Sequence, residues 1–172
     1  MLFRTWRKIT AVAALALTVS CVSHSSLAQN PNLVITQADV AAMRIGVQKE
    51  GRFQNAYNDL RATVDRQLVQ EINVPVPKDG GGGYTHEVHK KNYQYMYNAG
   101  LIFQISEDQK YADSVKDMLL EYAELYPTLD VHPKRKVNSQ NPGKFFWQSL
   151  NEAVWLVYTI QAYDLVYNAL NA

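Results

Sequence analysis

Residues 80–93, GGGGYTHEVHKKNY, combine four glycines with aromatic rings, two histidines and two lysines, and are the stretch whose residue types most resemble a chemical site. His86 and His89 lie three positions apart, with Glu87 between them. A zincin needs the pattern His-Glu-x-x-His, so this spacing excludes that metalloprotease motif. Two histidines three apart can share a metal, but no third ligand follows at a standard interval. The sequence therefore predicts no metal and no cofactor.

The four glycines could instead belong to a nucleotide-binding loop. A Walker loop has a lysine directly after its last glycine, and Tyr84 occupies that position here. A dinucleotide-binding fingerprint follows a β-strand, and Pro75 and Pro77 stand where that strand would lie. Two interpretations remain: a linker whose His and Lys side chains face water, or the lip of a binding pocket.

A second segment without helical pattern, residues 128–144, is rich in positive charge. No acidic residue occurs between positions 131 and 150. The segment carries four cations and a possible fifth: Lys134, Arg135, Lys136, Lys144 and His132. Positive charge concentrated on an otherwise mildly acidic protein attracts an anionic ligand. The aromatic run FFW at 145–147 follows directly, and such rings can stack on sugars.

The last predicted helix, residues 145–169, is apolar on nearly all sides, and its only charges are Glu152 and Asp164. A helix of that kind is normally buried, so we expect other helices to surround it. One stripe of this helix consists of Gln148, Glu152, Trp155 and Thr159, with Asn151 beside it. Buried amides are costly unless they are hydrogen-bonded, so they either hold helices together or line a wet cavity. The second alternative, beside the cationic segment and the aromatic run, suggests an acidic polysaccharide as ligand.

The elements that must position these residues are predicted to be helical. Apolar residues recur every three or four positions in five segments: 36–49, 53–69, 85–105, 106–126 and 145–169. Thr36 to Asp39 and Ser106 to Gln109 have the form of capping boxes. No segment shows the period-two alternation of a strand, so the predicted fold class is all-α. Helix pairs joined alternately by short turns and long loops are typical of an α-solenoid or an α/α toroid, in which the long loops gather at one end.

Residues 1–28 have the pattern of a secretory signal peptide. Three cations precede an apolar core at 9–19, which is too short to span a bilayer. Cleavage after Ala28 would release residues 29–172 as one periplasmic or secreted domain. The alternative is a lipobox, in which Cys21 is lipidated and anchors the protein to a membrane.

Removing Arg4, Arg7 and Lys8 with the signal leaves 14 of the 17 Lys and Arg residues against 16 Asp and Glu, a net charge of −2. A protein with this balance has no overall attraction to nucleic acid, and we predict no such partner. A membrane partner is expected only if Cys21 is lipidated. Because Cys21 is the single cysteine, no internal disulfide can form and the fold depends on its core.

Four stretches are longer and more distinctive: VPVPKDGGGGYTHEVHKKNYQYMYNAG, YADSVKDMLLEYAELYPTL, HPKRK and NPGKFFWQSLNEAVWLVYTIQAYD. They resemble the N-terminal region of the alginate and oligoalginate lyases of polysaccharide lyase family 17, from about Pro31 to the last residue. The resemblance implies an incomplete α/α toroid built from antiparallel helix pairs, which in the family is followed by a β-sandwich domain. Because the sequence still has a helical pattern at its end, we expect residues 29–172 to be the N-terminal part of such a domain.

The activity implied by the resemblance is β-elimination at the uronate residues of alginate or oligoalginate. In the family, an Asn-His pair neutralises the carboxylate and a tyrosine transfers protons. Neither motif has a match in this chain, so we predict no catalytic residue. The substrate-binding residues implied are Tyr84, His86 and His89 at the lip of the cleft, Lys136 and Lys144 as partners of uronate carboxylates, and Gln148 and Asn151 as hydrogen-bond donors.

Two alternatives to an alginate lyase remain open. The first is a module that binds acidic polysaccharide, or another helical interaction module, without an active site. The second is a lyase for a different uronate, such as a glycosaminoglycan. Formation of an unsaturated sugar product separates a lyase from a binding module.

Overall fold

Five α-helices form the regular structure of the residues that the computed structural model describes, 29–135 and 141–170. They are α1 (Gln37–Gly46), α2 (Arg52–Leu68), α3 (Tyr84–Ser106), α4 (Gln109–Leu125) and α5 (Ser149–Leu170), with a 3-10 turn at Tyr126–Thr128. No strand occurs within the described ranges, which confirms the predicted all-α class. The predicted signal sequence, including Cys21, and the predicted site residue Lys136 lie outside those ranges.

Helix α1 begins at the capping box that the sequence predicts. The Thr36 hydroxyl oxygen accepts a hydrogen bond from the backbone N–H of Asp39 at 3.3 Å, and the Asp39 carboxylate accepts one from the backbone N–H of Thr36 at 2.8 Å. These bonds satisfy donors that the start of a helix would otherwise leave unpaired. The helix ends at Gly46, three residues before the predicted boundary, in keeping with the poor helix propensity of glycine. Helix α2 agrees with the prediction to within one residue.

Helix α3 is the central element and contacts each of the other four helices. Its side chains at Met96, Ala99 and Ile102 have no exposed surface. Arg44 of α1 lies at the end of α3, where its Nε donates to the carbonyl of Gln104 at 2.8 Å and its Nη1 lies 2.6 Å from the Glu107 carboxylate. A cation at this position interacts favourably with the negative end of the helix dipole.

Only Glu107 and Asp108 separate α3 from α4, so these two helices form a hairpin. Glu107 has a left-handed backbone with φ of 59°, and its N–H donates to the carbonyl of Phe103 at 2.7 Å, which ends α3. The predicted capping box at Ser106 is wrong. Asp108 caps α4 instead by accepting from the N–H of Lys110 at 3.3 Å, while the Ser106 hydroxyl bonds within α3.

Helix α5 begins at Ser149, four residues later than predicted, because residues 142–148 form an irregular turn segment. One face of α5, which includes Trp155, is buried, and α5 contacts α3 and α4. The expectation that helices surround α5 is wrong for the described residues, since Leu150 is 71% and Val157 53% exposed. Among the described residues, no helix has the combination of length and hydropathy that a membrane crossing needs.

The segment before α1 is fastened to α5 by Asp164. This carboxylate is only 4% exposed and accepts hydrogen bonds from the backbone N–H groups of Asn32 at 2.9 Å and Leu33 at 3.1 Å, and from the side-chain amide of Asn30. The side-chain amide of Asn168 donates to the Asn30 carbonyl at 2.8 Å. One of the two charged side chains of α5 therefore attaches the segment before α1 to this helix.

Candidate functional site

The two loops that the sequence singles out lie against each other beside the start of α3. We call residues 73–83 the glycine-rich loop, and residues 129–135 with 141–148 the cationic loop. A Cβ atom added at Gly81 would lie 3.5 Å from the indole nitrogen of Trp147. The ring of His86 meets the ring of Phe146 edge to face, with centroids 5.0 Å apart. Residues sixty or more positions apart in the sequence thus form one end of the molecule.

The glycine-rich loop is fixed at its base by Asp79 and Thr85. The Asp79 carboxylate accepts hydrogen bonds from the N–H of Thr85 at 2.9 Å and from its hydroxyl at 3.0 Å, and these bonds lower the pKa of Asp79. The Thr85 hydroxyl oxygen in turn accepts from the backbone N–H groups of Lys78 and Asp79, each at 3.2 Å. Gly82, with φ of 80°, supplies a backbone conformation that side chains disfavour. The base of the loop is therefore closed and is not a free linker.

His89 belongs to the core of this end of the molecule and has no exposed surface. Its Nδ1 lies 2.9 Å from the hydroxyl of Tyr122, and that hydroxyl also accepts from the side-chain amide of Asn92 at 3.1 Å. The Asn92 bond uses only a lone pair of the Tyr122 oxygen and leaves the phenol proton free for Nδ1. We assign that proton to the bond with Nδ1, which places the ring proton of neutral His89 on Nε2. Burial lowers the pKa of His89 to about 4, against a smaller opposing effect of the Pro75 carbonyl. His89 is therefore a neutral link between the core and the glycine-rich loop.

His132 plays a similar part within the cationic loop and is 1% exposed. Its Nδ1 accepts from the backbone N–H of Lys134 at 3.1 Å, which again leaves the ring proton of the neutral form on Nε2. The backbone N–H of His132 donates to the carbonyl of Gly143 at 2.9 Å and so joins the two described parts of the cationic loop. Burial, with a smaller contribution from His86, lowers the pKa of His132, while the carboxylates of Glu152 and Asp79 and then the carbonyl of Asp79 act in the opposite direction.

The arrangement of the histidines does not suit a metal. His86 is 6% exposed, and burial lowers its pKa. The Nε2 atoms of His89 and His132 carry protons in the assigned tautomers, so they present hydrogen-bond donors and no lone pair. Among residues 29–135 and 141–170, no group of three or more His, Cys, Asp or Glu side chains could hold a metal ion.

An open groove lies between the 3-10 turn, the cationic loop and the first turns of α5, with a volume of about 610 Å³. Tyr126, Lys144, Glu152 and Trp155 contribute its aromatic and charged lining. The rings of Tyr126 and Trp155 are nearly parallel, with centroids 6.4 Å apart. The ammonium of Lys144 lies 4.8 Å from the centre of the Tyr126 ring. An aromatic wall beside an ammonium is suited to a sugar that carries a carboxylate.

Glu152 connects the sides of this groove. Its carboxylate accepts from the Tyr126 hydroxyl at 3.1 Å and from the backbone N–H of Lys144. Burial, and then Glu152, raises the pKa of Tyr126. Gly143 has no room for a side chain, since a Cβ atom there would overlap the Glu152 carboxylate and the carbonyl of Phe146.

The predicted substrate-binding residues do not all lie in one place. Lys144 lines the groove, Gln148 is exposed and Asn151 half-buried where α5 begins. Tyr84 is 64% exposed, and its hydroxyl accepts from the side-chain amide of Asn73 at 3.2 Å. It is not among the residues that line the groove. His86 and His89 lie in the interior and are not at a lip.

Sequence reasoning did not select Tyr126, and it treated Glu152 only as part of a polar stripe. Glu152 is the single acidic residue in the first turn of an otherwise apolar helix, and that isolation is a signal of a specific partner. Tyr126 gave no local signal, because it continues the apolar stripe of α4.

No protein-family model matches the chain. It is similar to the exo-oligoalginate lyase of Saccharophagus degradans, with 44% identity over 165 residues that make up 96% of this chain and 22% of that protein. It is also similar to the alginate lyase of Stenotrophomonas maltophilia, with 41% identity over 169 residues, 92% of this chain and 22% of that protein. These similarities relate the chain to alginate lyases, of which it spans about a fifth of the length.

Proposed function

We propose that the chain is part of a polysaccharide lyase that cleaves alginate or oligoalginate by β-elimination. The observation that carries the proposal is the 44% identity, over 96% of the chain, to a protein named exo-oligoalginate lyase. The groove beside the cationic loop supports it, because its aromatic wall and its ammonium match a uronate sugar. We assign the enzyme to polysaccharide lyase family 17 and its helices to an incomplete α/α toroid.

The proposed reaction breaks the C5–H bond and the C4–O4 bond of a uronate and forms a C4–C5 double bond. Neutralisation of the carboxylate makes the C5 proton acidic, a base removes it, and an acid protonates O4 as it leaves. We assign no catalytic residue to the chain, since the family's Asn-His motif and later tyrosine segment have no match in its sequence. This part of the enzyme would bind and orient the sugar.

The substrate contacts that we propose are Lys144, Gln148 and Asn151 near the groove, Tyr84 on the neighbouring surface, and Lys136 in the cationic segment. Lys144 and Lys136 would pair with uronate carboxylates, and the amides would donate to hydroxyl or carboxylate oxygens. His86 and His89 would contribute indirectly, since their contacts with Phe146 and Tyr122 support the first turns of α3, where Tyr84 lies. No metal or cofactor takes part.

The proposed site of action is the periplasm or the medium outside the cell. Residues 1–28 would direct export and be removed after Ala28. The competing proposal, lipidation of Cys21, would leave the protein attached to a membrane. Mass spectrometry of the mature protein separates the two, because a lipidated Cys21 adds acyl mass and a cut after Ala28 leaves Gln29 as the first residue.

A chimera tests the proposed activity. This chain would replace the matching 165 residues of the Saccharophagus degradans exo-oligoalginate lyase, and absorbance of the unsaturated product would be followed with oligoalginate. We expect turnover to be retained and Lys144→Ala to raise KM. A folded chimera that binds oligoalginate without turnover would favour the binding module, and one that cleaves only glycosaminoglycan would favour the other lyase class. Turnover by the chain alone would contradict the prediction that it contains no catalytic residue.

A further inference from the structure

Glu152 makes contacts that a groove for an anionic sugar would not need for binding. A carboxylate in the wall of such a groove repels a uronate, so its presence there calls for another reason. Glu152 is half-buried, and its two oxygens are occupied by an O–H donor from Tyr126 and an N–H donor from Lys144. Hydrogen bonds to an ionised acceptor are stronger than those between neutral groups.

These two donors belong to the parts of the chain that carry the groove's functional groups. Tyr126 begins the 3-10 turn after α4, and Lys144 belongs to the cationic loop. The two also contact each other, since the Lys144 ammonium donates to the Tyr126 carbonyl at 3.4 Å and lies over the Tyr126 ring. Glu152 therefore fixes the backbone at Lys144 and the ring against which the ammonium lies.

The backbone of the cationic loop is shaped around this carboxylate. Gly143 approaches Glu152 so closely that a Cβ atom would overlap both the carboxylate and the carbonyl of Phe146. The carbonyl of Gly143 accepts from the N–H of His132, and the N–H of Ser149 donates to the carbonyl of Asn141 at 3.1 Å. Further backbone bonds thus hold the loop on both sides of the contact with Glu152.

We infer that Glu152 is a positioning residue for uronate binding, which holds Gly143, Lys144 and Tyr126 so that the Lys144 ammonium faces the groove. Glu152 itself does not contact the sugar. The identity of the ligand, a uronate, rests on the proposed function. The fixed position of the cationic loop rests only on the observed distances.

The three variants Glu152→Ala, Glu152→Gln and Gly143→Ala test this role. Alanine removes both acceptors, so the loop loses its fixed position and affinity for a mannuronate trisaccharide should fall about tenfold, as expected for one lost charge-assisted hydrogen bond. Glutamine is nearly isosteric, and its amide oxygen still accepts from Lys144 while its NH₂ donates to the Tyr126 oxygen. Because it also removes a negative charge, Glu152→Gln should bind at least as tightly as the wild type. Gly143→Ala should resemble Glu152→Ala.

Two measurements separate the possible outcomes, with the exposed carboxylate of Glu121 on α4 providing the control Glu121→Ala. Hydrogen exchange of residues 141–148 without ligand should be faster in Glu152→Ala and unchanged in Glu152→Gln and the control. Calorimetric titration with the trisaccharide then reports binding. Faster exchange without any binding by the wild type would leave the positioning role standing and contradict the proposed function. Unchanged exchange in Glu152→Ala, or a glutamine variant as weak as alanine, would overturn the positioning role.

Discussion

The hydroxyl of Tyr122 lies 2.9 Å from Nδ1 of His89, so a phenol and an imidazole that are both shielded from solvent satisfy each other. The side-chain amide of Asn92 completes this chain of hydrogen bonds and also donates to the carbonyl of Asn73 at 2.9 Å, where the glycine-rich loop begins. Burial raises the pKa of Tyr122, so the phenol stays protonated and can donate. The network makes the position of the loop depend on a neutral histidine.

We expect the free energy of unfolding to fall as the pH is lowered from about 6.5 to about 4. Burial lowers the pKa of His89 from 6.5 to about 4 in the folded protein. The unfolded chain therefore binds more protons in this interval, and stability that is present above pH 6.5 is lost as the pH falls through the pKa of folded His89. The loss should reach about 3 kcal/mol at most, as measured by urea unfolding at a series of pH values.

His89→Gln is the control for this pH dependence, since glutamine does not titrate. It should be less stable than the wild type at pH 7 but should lose less stability on acidification. The remaining loss comes from His86 and His132, whose pKa values are also lowered by burial against the opposing carboxylates of Glu87 and of Asp79 and Glu152. An unchanged pH slope in His89→Gln would show that His89 is not responsible.

Tyr122→Phe should destabilise the protein by about 1 to 3 kcal/mol, because it leaves Nδ1 of His89 without its donor and the Asn92 amide without one acceptor in the interior. Tyr95→Phe is a matched control, since the Tyr95 hydroxyl has one side-chain partner, Ser114 at 2.8 Å, and that serine also donates to a backbone carbonyl. The loss of stability in Tyr95→Phe should be smaller than in Tyr122→Phe. Thermal unfolding monitored by circular dichroism compares the two, and equal losses would argue against the network.

The bounds of a helix could be predicted where they depend only on the sequence of that helix. The site could not be predicted, because it depends on contacts between several elements. The periodicity of α2 and α3 gave their bounds to within one residue. The start of α5 was placed too early because the apolar residues at 145–147 continue the helical pattern, whereas contacts of Glu152 with Gly143 and Lys144 keep that segment in turns.

The histidines show the same limit. His89 lies among charged neighbours in the sequence, a composition that fits either an exposed linker or a pocket lip, and the family resemblance implied the lip. Its burial results from Tyr122 on α4 and Phe145 in the cationic loop, with ring centroids 5.7 Å and 5.1 Å from its own. No local pattern records these contacts, because the partners are more than thirty positions away.

Asp164→Ala should release the segment before α1 from α5. The change removes the acceptor of the backbone N–H groups of Asn32 and Leu33, and hydrogen bonds to a charged group contribute about 1.5 to 3 kcal/mol each. Hydrogen exchange at residues 30–36 should rise and a protease should cut there first. Asp164→Asn should have an intermediate effect, since its single amide oxygen retains part of the acceptor capacity. Wild-type exchange in the alanine variant would contradict the clamp.

The exposed face of α5 should lower the solubility of the chain. Ile160 and Tyr163 are each 45% exposed and line an apolar groove of about 420 Å³ with residues of α4. Large exposed apolar patches promote association, so Ile160→Lys and Tyr163→Lys should reduce the binding of a hydrophobic dye and the scattering of concentrated samples. Their unfolding temperatures should change little because neither side chain is in the core. Ala162→Lys, on the buried face of the same helix, is the contrasting variant and should unfold the protein, since a lysine there would have no solvent. If Ile160→Lys were as destabilising as Ala162→Lys, the face around Ile160 would be part of the core and not a surface.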